Sequence, residues 1–221
     1  MNKVVPKSEP AKARPTAASN ARRSFWLKQL HTWHWISAAL SLVGMLLFAI
    51  TGITLNHAAS ISATPVVKET VAEMPMPLVE RLVDFPEETT DPAPDYVVRW
   101  AKEALSVDIK NKPTETTSQE IYIALTMPGG DAWMTLDRQS GEAVHEKTTR
   151  GAVAYLNDLH KGRNSGVVWF WFIDVFAVAC VIFTMTGLAL VWLHARSRPS
   201  SWPLVGLGLL IPVIIALIFI H

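Results

Sequence analysis

The stretch "HTWHWISAALSLVGMLLFAITGITLNH", residues 31–57, decides the fold. It holds no Asp, Glu, Lys or Arg and ends in a histidine on each side. Its apolar part, about 35–55, is long enough to cross the hydrocarbon of a bilayer, which takes roughly 20 residues. Two further runs, about 167–193 and 202–220, meet the same criterion. A backbone in lipid must satisfy its own hydrogen bonds, so all three are expected to be helices. The first is longer than a cleavable signal core of about 7–15 residues and is read as an uncleaved anchor.

Working outward, charge is sorted along the chain. Residues 1–28 hold seven Lys/Arg against Glu9 alone, whereas 58–165 hold eleven Lys/Arg against seventeen acids. This segregation excludes a single soluble globular domain, and no nucleic-acid partner is expected. The only cysteine, Cys180, lies in an apolar run, so neither a disulfide framework nor a Cys-based metal site is available within the chain. Basic flanks stay cytoplasmic, so the N-terminus is expected inside and 58–165 outside. Arg196 and Arg198 mark the inner side again, and His221 falls at the outer face. Trp26, Trp33, Trp35, Trp169, Trp171, Trp192 and Trp202 sit at expected helix ends, as interfacial tryptophans do.

The expected organisation is a disordered basic tail (1–27), a first transmembrane helix (28–57), a Pro-rich tether (58–94), a small α+β domain (95–163), a second transmembrane helix (164–195) and a third (202–220). Within the tether "LVERLVDF" suits one short helix. "PDYVVRWAKEAL" reads as an amphipathic helix starting near Asp95. "QEIYIALTM", "DAWMTLD" and "GEAVHEKT" read as three short antiparallel strands with turns at "PGG" and "RQSG". Such a unit has a marginal core of its own.

Helical spacing puts His34, Ser37, Ser41 and Gly44 on one face. Counting back from His194 gives Val191, Gly187, Thr184, Cys180 and Ala177. Small stripes let membrane helices approach closely, which is a sufficient reason for them. A histidine at the head of each stripe adds a second reading. Two imidazoles at the inner mouth would hold a haem between the helices, with Arg22, Arg23, Arg196 and Arg198 toward its propionates. His57 and His160, with Lys161 and Arg163, offer another pair at the outer mouth, 23 residues or roughly 35 Å along the helix from His34. His31 shares the side of His34 and is either the inner ligand or a supporting partner. His145 and His221 have no place in this scheme. Asp174, about two turns inside the second apolar helix, is costly in lipid. It would hold a proton, orient His160 or His57, or bond Thr51 or Asn56.

"LHTWHWISAALSLVGMLLFAITGITLNHA", "DAWMTLDRQSGEAVHE", "LNDLHKGRNSG" and "TGLALVWLHARSR" together resemble the PepSY-associated transmembrane family of bacterial inner-membrane proteins, over about residues 28–198. The resemblance implies a membrane α-helical fold of three spans with an extracytoplasmic α+β PepSY-like domain. It also implies a relation to haem-containing ferric-siderophore reductases, with one or two haem b groups on His34 (with His31), His57, His160 and His194. The substrate so implied is a ferric chelate or siderophore. The chain departs from those larger relatives: it is short, has one partial PepSY-like copy and shows no G-x-G-x-x-G after a strand. Quinol or a partner reductase would therefore supply electrons. The alternative is a haem-free anchor that displays the PepSY-like domain to an envelope protein or protease.

Overall fold

The computed structural model describes residues 17–220, the side chain of Arg196 excepted. The expected tail up to residue 16, terminal His221 and the Arg196 side chain lie outside the described residues. In chain order the elements are α1 (Ala17–Asn56), β1 (Val66–Glu73), α2 (Met76–Val79) with a 3-10 turn (Glu80–Asp84), α3 (Asp95–Ala104), β2 (Glu115–Thr116), β3 (Glu120–Ala124), β4 (Gly130–Asp137), β5 (Glu142–Thr149), α4 (Gly151–Lys161), α5 (Gly166–His194), a 3-10 turn (Ala195–Ser197) and α6 (Ser201–Phe219). Three of these, α1, α5 and α6, are long and apolar enough to cross a membrane. The described chain divides into two compact units, one made of residues 17–44 and 176–220, the other of 45–175.

In the first unit α1 begins at Ala17, not at residue 28. "AASNARRSFWL" contains no Gly or Pro and is rich in helix formers, so nothing stops the helix short of it. With 40 residues, α1 is about 60 Å long, twice a hydrocarbon core of about 30 Å. Helices α1 and α5 meet through small side chains. Ser37 and Ser41 are buried on α1 and Ala179 on α5. Gly44 leaves room for the Phe176 ring, which a Cβ there would strike. Both serine hydroxyls donate back to the helix, Ser37 to Trp33 O at 2.7 Å and Ser41 to Ser37 O at 2.6 Å, so no donor is stranded. Large apolar side chains such as Leu40, Val178 and Leu217 point away from protein, as a lipid solvent allows. On α6 nothing is buried.

The second unit is built on a five-stranded antiparallel sheet, in the order β1-β5-β4-β3-β2. Alternation along β4 buries Ala132, Met134 and Leu136 on one face. Against them lie Ile121 and Ile123 of β3, Val97, Trp100 and Ala101 of α3, and Leu82 of the 3-10 turn. The sequence suggested three strands and a tether; the structure turns the tether into part of the domain. "VVKETVAE" pairs along its whole length with β5, and Met74, Val79 and Leu82 enter the core. Arg138 secures this segment, donating to Leu82 O at 2.8 Å and Phe85 O at 2.7 Å. Its neighbour Asp137 accepts the backbone N–H groups of Ser140 (2.7 Å) and Gln139 (2.8 Å), which closes the β4–β5 turn and holds the carboxyl below the usual carboxylate range. The helix α4 was not foreseen. It ends where Gly162 takes a left-handed conformation, φ 68°.

Leu136 is 1% exposed. Replacing it with Ala should destabilise the sheet domain by about 2–5 kcal/mol; chemical denaturation followed by the fluorescence of buried Trp100 checks this.

Candidate functional site

Five histidines singled out by the sequence share one feature: each engages its Nδ1. In His31, His57 and His194 the partner is a carbonyl four residues back, Leu27 O at 2.8 Å, Ile53 O at 3.0 Å and Leu190 O at 2.9 Å. A carbonyl only accepts, so Nδ1 carries the hydrogen and the Nε2 lone pair of the neutral ring is left for something else. His34 and His160 reach the same tautomer with a threonine as partner, His34 also facing Phe183 O at 3.2 Å. His34 Nδ1 lies 2.9 Å from Thr186 Oγ1, and that hydroxyl already donates to Ile182 O at 2.7 Å. His160 Nδ1 lies 2.7 Å from Thr51 Oγ1, whose hydroxyl donates to Leu47 O at 2.9 Å. Each threonine must therefore accept from its histidine. A ring fixed through Nδ1–H with Nε2 open is the arrangement metal-bound imidazoles use.

The surroundings separate these rings. In the first unit the His31 and His194 rings stand 6.4 Å apart between centroids, nearly perpendicular at 87°, and both residues are exposed. With metal–imidazole bonds of about 2.0–2.1 Å, two rings on opposite sides of one metal stand roughly 6 Å apart between centroids. His34, by contrast, is stacked on Phe183 at 4.8 Å and 15° and lies against Gly187. Among the described residues no ring contact joins it to His194. On α5, Thr184 and Ala177 of the expected stripe are exposed, while Ala179 is buried. Phe176 and Phe183, not an open slot, line the small-residue face of α1. Beside His194 a cavity of about 400 Å³ includes Arg198, Ser197 and Val191.

In the second unit His160 is half-buried, tilted on Phe48 at 4.9 Å. His57 is exposed, and among the described residues no ring contact links it to His160. Thr51, not Asp174, orients His160. Asp174 is exposed on α5 and has no hydrogen-bond or ion-pair partner among the described residues. Next to His160, Asn157 is buried and its Oδ1 accepts from Thr54 at 2.8 Å, while Trp169 Nε1 donates to Leu159 O at 2.9 Å. Among the described residues, no cluster of three or more His, Cys, Asp or Glu could hold a bare metal ion.

Thr186 and Phe183, which fix the His34 ring, were not foreseen, and Thr51 was foreseen as a partner for Asp174 rather than for His160. A threonine inside an apolar run, free to bond its own carbonyls, was the available signal. His145 on β5 stands apart from the other histidines. Burial holds its imidazole below the ordinary value near 6.5, and Lys147 and Lys68 push it the same way.

A family model described as PepSY_TM-like matches residues 25–221. No curated protein and no solved structure matches the chain.

Two outcomes are expected. Thr51→Val should cost about 1 kcal/mol and release the His160 tautomer, read from its ring nitrogen NMR shifts. Because the folded state disfavours the charged His145 ring, its stability contribution is full above pH about 6.5 and is lost as pH falls through the lowered folded-state value. His145→Gln should flatten that acid-side loss in thermal melts.

Proposed function

The chain belongs to the PepSY_TM-like family, and on that premise we propose that it is a b-type haem protein of the bacterial inner membrane that passes electrons to an extracytoplasmic ferric (siderophore) complex. The observation that carries this reading is the His31–His194 pair: two rings 6.4 Å apart, each with Nδ1–H committed to its own helix and Nε2 open. These two residues would hold the inner haem, with Arg22, Arg23 and Arg198 as the neighbouring positive charge for its propionates. Bound haem supplies one-electron iron chemistry. His34, fixed by Thr186 and Phe183, positions α1 against α5 beside that pair. His57 and His160 are the candidates for an outer haem, with Lys161 and Arg163 nearby in sequence. The basic flanks support a cytoplasmic N-terminus and an outer location for 58–165. No dinucleotide-binding motif occurs in the chain, so the donor is quinol or a partner reductase.

The test is a reduced-minus-oxidised spectrum with a haemochrome count on protein purified in detergent, for the wild type, His31→Ala, His194→Ala and His34→Ala. The expected result is a b-type spectrum at one or two haems per chain, with affinity falling at least about tenfold in His31→Ala and His194→Ala. His34→Ala should lower the melting temperature more than the haem content. Full haem in both of the first two variants would overturn the inner site. A featureless spectrum from protein expressed with added haem would favour the haem-free anchor instead.

A further inference from the structure

The outer segment 58–165 holds seventeen acids against eleven Lys/Arg, yet some of its cations are gathered in one place. The β1–β5 register sets Lys68 directly opposite Lys147 and Thr70 opposite His145. Like charges directly opposed across strands weaken a sheet. Strand alternation puts all four residues on the face that carries Ala132 and Met134. A cavity of about 310 Å³ opens at this corner, lined among others by His145, Lys147, Lys112, Asp108, Ser106 and Thr126. Among the described residues, Lys68, Lys112 and Lys147 have no ion-pair partner. The one carboxylate in the lining, Asp108, accepts the backbone N–H of Lys110 at 3.0 Å. Besides burial, the charges of Lys147 and Lys68 hold the His145 imidazole below its ordinary value. Ser106 and Thr126 add hydroxyl donors at the rim.

We propose that this corner of the outer domain is a binding site for a small polyanion bearing several carboxylates, held by Lys68, Lys147 and Lys112 with Ser106 and Thr126. A ferric complex of such a ligand would be the form that matters for the function proposed above, and the inference rests on that reading for its biological role only. The unfavourable Lys68–Lys147 pairing is relieved when an anion bridges the two ammonium groups.

The experiment is isothermal titration of the full chain in detergent with citrate, ferric citrate and inorganic phosphate, on the wild type, Lys147→Glu and Lys112→Gln. Lys147→Glu puts a carboxylate opposite Lys68, so its melting temperature should rise. Its affinity for citrate or ferric citrate should fall at least about tenfold, because two cations are replaced by a neutralised pair. Lys112→Gln should weaken binding less, with no change in melting temperature. Tighter binding of ferric citrate than of citrate supports a metal chelate as the ligand, and equal binding supports the polycarboxylate itself. Unchanged affinity in Lys147→Glu, binding of phosphate as tight as of citrate, or no binding to the wild type would overturn the site. A haem spectrum of the same samples keeps the two proposals apart: anion binding without haem removes the electron-transfer role and leaves the site, and haem without anion binding does the reverse.

Discussion

In hydrocarbon no water is left to satisfy a backbone amide, and the chain answers by closing every such group inside a helix. The same constraint shapes the side chains. Serines and threonines on α1 and α5 turn their hydroxyls onto their own helix carbonyls. Histidines at the helix ends do so with Nδ1. A saturated threonine has only acceptor capacity left; it fixes His160 and, together with the Phe183 carbonyl, His34. The tautomer of all five rings thus follows from the backbone's need for internal hydrogen bonding, and it leaves Nε2 free in each.

The three long helices were legible because length and apolar composition alone specify them. Their ends were less so. The start of α1 depends on where helix propensity fails, and "AASNARRSFWL" offers no breaker. The core strands β3, β4 and β5 could be read from local alternation. The edge strand β1 could not, since its partner β5 lies more than seventy residues later and the prolines around it suggested a tether. Only the fold shows that Arg138 secures the segment that follows β1.

The candidate site was legible as a list of histidines, not as a set of pairs. Helical spacing placed His34 at the head of a small-residue stripe and so made it the first choice for a ligand. The stripe is a packing face, filled by Phe176 and Phe183, and His34 belongs to that packing. His31, one turn earlier, meets His194 instead. Which of two neighbouring rings faces outward depends on how the helices are rotated about their axes. That rotation is set by the bulk of Phe183 and the absence of a side chain at Gly187, and neither can be weighed before the partner helix is known.

One detail of the sheet bears on how its domain fails mechanically. The chain comes in at Val66 and leaves at Thr149, and these two residues face each other in the β1–β5 ladder. Tension on both ends of the domain would act across a single pair of bonds at a time and open β1 from β5 like a zip, rather than shear the ladder as a whole. A sheet gripped in this way gives at low force, one residue pair after another, whatever its resistance to heat.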